Sequence, residues 1–366
     1  MRRRVYLTVL IALGLQAGGC AGQDALVPLP SRNTAAAPHP RPGAEGLAIE
    51  RPQAAAPEAA PPVADVAVEA PFDARGDEVL LGPLRTAALA NVRVNYGGTS
   101  ISLRLDFVGG GRASFKPEQT NPQSVPRREV AAYRLDRLLG IQAVAPAIGR
   151  SFPVDELYAA LDRPGRAVRQ RLKDELISRK DPADPHRRIV VGEVQWWIPA
   201  IEFARIGRHR IDETRGIVAW KRLLRAGATI PDERYQLVRQ ISTMLLFDFV
   251  IDNVDRWSGA NARISPDGSK LYFMDNTMAF SRDADGHRKS KIYLERCQTF
   301  SRRLVERLRD LGEDEVRAVL AHDLGPFDRL LTDEELVALF GRRDAALAYI
   351  DGLIAEHGDA AVLVFP

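Results

Sequence analysis

The residues with the greatest capacity for chemistry cluster late in the chain. Asp252-Asn253-Val254-Asp255-Arg256 places carboxylates, a carboxamide and a guanidinium directly after the most apolar run, Met244-Leu245-Leu246-Phe247 and Phe249-Val250-Ile251. Charged groups there are expected to face a cleft, because a buried charge must be paired or bind metal. Asn261 lies six residues beyond Asp255, across Ser258-Gly259-Ala260, and Asp275 follows in Phe273-Met274-Asp275-Asn276. An aspartate, an asparagine, a hairpin and a second aspartate can bracket Mg²⁺ or Mn²⁺ with hard oxygen ligands.

Two pieces upstream complete the pattern. Lys116 ends Ala113-Ser114-Phe115-Lys116-Pro117, and Glu129 is the only acid in the first two turns of the helix expected next. A strand lysine that reaches nucleotide phosphates, followed by a helical glutamate, is the pairing used by protein kinases. Taken alone, the same residues are a solvated lysine and a glutamate favoured by a helix dipole. In Tyr96-Gly97-Gly98-Thr99-Ser100, Gly97 and Gly98 let backbone amides approach phosphate oxygens, and Thr99 and Ser100 add donors. Alone this is an ordinary turn. In chain order the three pieces describe phosphoryl transfer, which asks a protein to hold phosphates and neutralise their charge with metal.

The elements that must position these residues follow from periodicity. Val92 and Val94, then Ile101, Leu103, Leu105 and Phe107, alternate with polar neighbours, and Gly109-Gly110-Gly111 turns the chain into a third strand, Arg112 to Lys116. A helix is expected from Arg127 to Leu139, with Pro126 in its first turn and Gly140 as its stop. Ala143–Ile148 and Ile189–Trp197 read as strands, and 154–179 as mostly helical. Helices are expected over Glu213–Arg225 and Arg234–Ile251, the second apolar nearly all round and hence central. Asp267-Gly268 signals a hairpin between Ala262–Ile264 and Leu271–Met274. Gln298 to His357 reads as amphipathic helices. Strands early and helices late predict an α+β chain, a small β-rich lobe joined to a larger, mostly helical one. Trp197 to Pro199 is placed at the hinge between them.

These stretches resemble the secretory-pathway kinases of the Fam20 and four-jointed group, and more distantly the lipid-kinase and HipA branch of atypical kinases. The likeness rests on Phe115-Lys116-Pro117, Arg128-Glu129-Val130-Ala131-Ala132-Tyr133-Arg134-Leu135, Asp252-Asn253-Val254-Asp255-Arg256 and Met274-Asp275-Asn276. It implies a two-lobed protein-kinase-like fold with an N-lobe over 77–198 that carries a helical insertion, and a helical C-lobe over 199–366. It implies that Lys116 grips the phosphates of ATP, that Glu129 orients it or helps hold metal, and that Asp255 is the catalytic aspartate. Asp275 becomes the Mg²⁺ or Mn²⁺ ligand and Asn261 the second. The sequence departs from that group in having Trp257 after Asp-Arg, where His is frequent, and Thr277 where Gly is frequent. The leading expectation is a kinase acting on a hydroxyl of a protein or glycan. Two alternatives stay open, a catalytically inactive pseudokinase-like binding lipoprotein and a lipid kinase.

Composition and the N-terminus set the compartment and exclude other classes. Lys and Arg total 51 against 48 Asp and Glu, so no concentrated basic surface points to nucleic acid. The six histidines are scattered without zinc spacing. Met1-Arg2-Arg3-Arg4, an apolar run from Val5 to Leu15, and Ala17-Gly18-Gly19-Cys20 resemble a bacterial lipoprotein signal over 1–20. The alternative is a conventional cleaved signal peptide with an incidental cysteine. Lipid on Cys20 makes the expected location extracytoplasmic and membrane-anchored, facing the periplasm or cell surface. Residues 21–76 are Ala- and Pro-rich, lack a hydrophobic period, and read as a disordered tether. Cys297, the other of two cysteines, reads as a small buried hydrophobe.

Overall fold

The computed structural model of the protein describes residues 76–366 apart from Gly97 and Ala260. The leader, Cys20, the Ala/Pro-rich segment as far as Arg75, and Gly97 of the glycine turn lie outside the described residues.

A six-stranded antiparallel sheet in the order β1-β2-β3-β6-β4 dominates the first half, with β5 paired to β6. It is preceded by α1 (Asp77–Thr86), which buries Leu80, Leu81 and Leu84. The sequence reading finds no helix there, because Gly82-Pro83 interrupt its apolar period. Strands β1 (Leu89–Val94), β2 (Leu103–Phe107) and β3 (Arg112–Pro117) follow at the expected places. Leu103, Leu105, Phe107, Ala113 and Phe115 point alternately into the core. Gly109, Gly110 and Gly111 all take positive φ, a conformation that favours glycine at each position of this turn.

Helix α2 (Pro126–Leu138) begins on the proline, whose absent N–H would have no helical partner in any case. Gly140, at φ +70°, ends it. The strand expected at Ala143 starts later, as β4 (Ala147–Pro153). The reason is local: the buried Asp136 carboxylate takes the Ala143 and Val144 N–H groups at 2.8 and 3.1 Å. The expected helical stretch over 154–179 is broken into α3 (Val154–Ala159), α4 (Arg163–Ala167) and α5 (Arg169–Glu175), then β5 (Ser178–Lys180). Strand β6 (Arg188–Trp196) pairs with both β3 and β4 and closes the sheet.

Beyond Trp196 come three two-residue strands, β7 (Glu202–Phe203), β8 (Arg205–Ile206) and β9 (His209–Arg210). The Arg-rich 205–210 segment is a hairpin that turns at Gly207, φ +61°. Helix α6 (Thr214–Leu223) leads to α7 (Asp232–Ile251), which buries eleven of its side chains and is the axis of this lobe. Strands β10 (Ala262–Ile264) and β11 (Leu271–Phe273) form the expected hairpin, with β7 on the other side of β10. Helices α8 (Arg288–Leu294), α9 (Arg302–Asp310), α10 (Glu313–Ala321), α11 (Asp333–His357) and α12 (Asp359–Val362) complete the chain.

One cap ties the halves together. Thr332 and Glu335 form a capping box at the start of α11. The Glu335 carboxylate also receives Arg127 Nη1 at 2.7 Å and Arg128 Nη2 at 2.7 Å from α2. Burial alone would raise this carboxyl, but the guanidinium groups and the Thr332 N–H hold it down at about 2. Among the described residues no helix is long and apolar enough to cross a membrane.

Candidate active site

Lys116 stands directly opposite Glu193 in the β3–β6 register. Side chains so paired lie on one face of a sheet, and α2 brings Glu129 to the same place. The ammonium Nζ lies 2.5 Å from Asp275 Oδ1, just past the end of β11. The structure thus gives the ion pair to Asp275 and not to Glu129, the partner expected from sequence. Glu129 is already engaged: Oε1 accepts Gln195 Nε2 at 2.8 Å and Asn276 Nδ2 at 2.9 Å, and Oε2 accepts the Asn276 N–H at 2.5 Å.

Three carboxylates therefore surround one buried ammonium. Burial would lower the Lys116 pKa, but the charges of Asp275, Glu129 and Glu193 prevail and raise it. Burial also works against an ionised Asp275, yet the Lys116 charge and the Thr277 hydroxyl hold this carboxyl below its ordinary value. Burial raises Glu129 despite the attraction of Lys116. Glu193 is raised well above the ordinary glutamate value, by burial first and by its neighbour Glu129 second. Its Oε2 has no hydrogen-bond partner.

The loop after α7 is built in the opposite way. Asp252 leaves the helix in the left-handed region, φ 55°. Its buried carboxylate accepts Ser281 Oγ at 2.5 Å, Ser290 Oγ at 2.7 Å and the His287 N–H at 3.0 Å. Asn253 donates to the Asp275 carbonyl at 3.1 Å and to Asn276 Oδ1 at 2.9 Å, and accepts the Asp255 N–H at 3.1 Å. Arg256 is fully buried and bonds Asp248 through Nε and Nη2 at 3.1 Å. It also donates to Asn276 Oδ1 at 2.7 Å, to the Asn261 carbonyl at 3.0 Å and to the Met274 carbonyl. Of the acids, amide and arginine expected to face a cleft, only Asp255 does so. Asp252, Asn253 and Arg256 turn inward because each finds buried partners. Trp257 also turns inward and stacks on Tyr293, ring centroids 4.4 Å apart.

Lys116, Asp255, Asn261 and Asp275 line one cleft of about 720 Å³. Gly98, Thr99 and Ser100 line it as well, as do Trp196, Trp197 and Ile198 at the end of β6. Asn261 Nδ2 donates to Asp255 Oδ2 at 2.9 Å. Glu129 lies behind this wall, fully buried.

The donor set suits a divalent cation held jointly with a nucleotide. Asp275, Asp255 and the side-chain oxygen of Asn261 are hard oxygen donors lining the cleft. Among the described residues no group of three or more His, Cys, Asp or Glu forms a complete cation cage. Mg²⁺ commonly uses one or two carboxylates and completes its shell with phosphates and water. The unpartnered Glu193 oxygen and the surplus of carboxylates over Lys116 also leave room for added positive charge.

Asp248, Gln195 and Glu193 escape the sequence reading, which also gives Asn276 no role of its own. Two had a signal. Glu193 is the lone acid in Ile189-Val190-Val191-Gly192-Glu193-Val194, and Asp248 is the lone acid in the apolar part of α7. Cys297 is buried, its Sγ against the Thr299 carbonyl, with its thiol pushed up to about 12 by burial.

No family profile matches the chain. Among curated proteins it is 25% identical over 326 residues to the glycosaminoglycan xylosylkinase of Danio rerio, covering 78% of this chain and 77% of that protein. It is 24% identical to the human pseudokinase FAM20A, over 74% of this chain and 57% of that protein. Among solved structures, the Golgi casein kinase with Mn/ADP bound matches with a TM-score of 0.58 at 18% identity, over 78% of each chain. The chain is similar to the Fam20 kinases, and its fold is theirs. Hydra Fam20 solved with sugar agrees, with a TM-score of 0.56 at 17% identity over 77% of this chain and 90% of that one. The Fam20-like fold makes the β1–β6 sheet with α2 the small lobe, and the α7-centred helices the large one.

Proposed function

We propose that the chain is an ATP-dependent phosphotransferase that acts outside the cytoplasm on a hydroxyl of a protein or glycan. The observation that carries this reading is the 2.5 Å contact between Lys116 and Asp275 on the cleft that Asp255 and the glycine turn share. Lys116 binds phosphate oxygens of ATP, and the Gly98–Ser100 backbone covers them. Mg²⁺ or Mn²⁺, when bound, supplies the positive charge that offsets charge on the transferred group. Asp275 and Asn261 hold it, and Glu129 fixes Asn276 and so the backbone beside Asp275. Asp255 receives or orients the acceptor hydroxyl proton, and Asn261 Nδ2 holds its carboxylate in position.

The acceptor class is suggested by the relatives, one named for a xylosylkinase activity and another as an extracellular serine/threonine protein kinase. The test is transfer of radiolabelled phosphate from ATP with Mn²⁺ to a panel of proteins, glycans and lipids. Asp255→Ala and Asp275→Ala should each abolish transfer while the domain stays folded; undiminished transfer by either removes the assignment. Anchoring through Cys20 predicts that palmitate labelling and membrane fractionation are lost in Cys20→Ser.

A second reading has one specific support: the Lys116–Asp275 pair already neutralises both groups, as in a module that holds its fold without turnover. Binding of ATP–Mn²⁺ with no transfer to any acceptor would favour it.

A further inference from the structure

The ammonium of Lys116 and a divalent cation compete for the same carboxylate. In the structure Asp275 Oδ1 belongs to Lys116, at 2.5 Å. A cation that engages Asp275 weakens that contact, and a buried ammonium then needs another acceptor. The helix α2 glutamate is already committed, Glu129 Oε1 to Gln195 and the Asn276 amide and Oε2 to the Asn276 N–H. Glu193 provides that acceptor. It is 1% exposed, stands opposite Lys116 across the β3–β6 register, and its Oε2 accepts no hydrogen bond. A buried acceptor without a donor is costly, and this one adjoins the only lysine in the cluster.

We infer that Glu193 is a positioning residue that takes over the Lys116 ammonium when Asp275 engages a nucleotide-bound divalent cation. The strand-to-helix lysine–glutamate pair expected from sequence is thereby replaced, in the loaded state, by a strand-to-strand pair. No covalent bond changes; the ammonium exchanges one carboxylate for another by rotation of its flexible stem. Lys116 is then held from below while its remaining N–H groups face the phosphates. This inference rests on the kinase reading above.

The test compares the full-length protein with its Glu193→Gln and Glu193→Asp variants. ATP–Mn²⁺ is titrated by calorimetry, and metal-free ATP at millimolar concentration is followed by thermal shift. Glu193→Gln is expected to weaken ATP–Mn²⁺ by about tenfold and Glu193→Asp to restore part of it. Both variants should match the parent protein with metal-free ATP, because without the cation Lys116 stays on Asp275. A merely structural defect would weaken both ligands alike, and that result overturns the inference. So does unchanged ATP–Mn²⁺ affinity in Glu193→Gln. Failure of the parent protein to bind ATP–Mn²⁺ overturns the kinase reading and this inference together. Should Glu193→Gln fail to fold, the Glu193→Asp comparison decides on the same criteria.

Discussion

The two walls of the cleft treat buried charge differently. On the large-lobe wall, Arg256 is answered by Asp248, Asn276 and two carbonyls, and Asp252 by two hydroxyls and an amide. On the sheet wall, Lys116 faces three carboxylates, one of which has an oxygen with no partner. A satisfied network fixes geometry, whereas an unsatisfied one stores electrostatic demand that a ligand can meet. The large lobe therefore provides the frame that aims Asp255 and Asp275, and the sheet provides the charge that responds to what enters.

The contrast is broken most severely by removing Arg256. Arg256→Met leaves Asp248, already raised to about 6 by burial despite its partner, without a cation. A loss of about 3–5 kcal/mol is expected, read from the urea midpoint, together with loss of phosphate transfer. Lys116→Met should act on the other side of the comparison: ATP affinity falls, while the unfolding midpoint moves much less than in Arg256→Met. Equal destabilisation by the two would erase the distinction between frame and responsive wall.

A pH titration sharpens the link between the walls. The Glu335 carboxyl is held at about 2 when folded, below the usual glutamate value, so its ion pairs stabilise the protein above that unfolded value. This contribution is lost as pH falls from about 4.5 through about 2, and amounts to roughly 3 kcal/mol. Glu335→Gln should flatten the acid limb of a stability–pH curve in that window. A smaller effect is expected at Asn276, where Asn276→Ala removes the Nδ2 donor from Glu129 Oε1 and keeps the backbone N–H on Oε2; it costs about 1–3 kcal/mol, measured by thermal unfolding. The smallest is expected at the surface, where Arg309 pairs with a half-exposed Asp351. Arg309→Ala should change stability by about 0–1 kcal/mol and leave nucleotide binding unaltered.

Much of the fold is legible in local pattern. The alternation in β2, the glycine turn before β3, the proline that opens α2 and the Asp267-Gly268 hairpin each act over a few residues, and each element forms close to its expected place. Helix α1 is hidden because Gly82-Pro83 interrupt its period, and β4 starts late because Asp136 captures the amides before it. The cleft aspartates, Asp255 and Asp275, stand out as acids beside apolar runs. Their inward-turning neighbours stand out by the same criterion, so the pattern alone does not separate Asp255 from Asp252.

The order of the chain determined which chemical groups exist and which local elements carry them: an ammonium at a strand end, a glutamate one turn into a helix, two acids flanking a hairpin. Only the tertiary structure decided who meets whom. Asn276 and Gln195 engage both oxygens of Glu129, while Lys116 pairs with Asp275 and faces, one strand away, Glu193. Dihedral preferences and periodicity act over a few residues, whereas the pairing of buried charges is settled by which groups packing brings within hydrogen-bond reach, however far apart they lie in the chain.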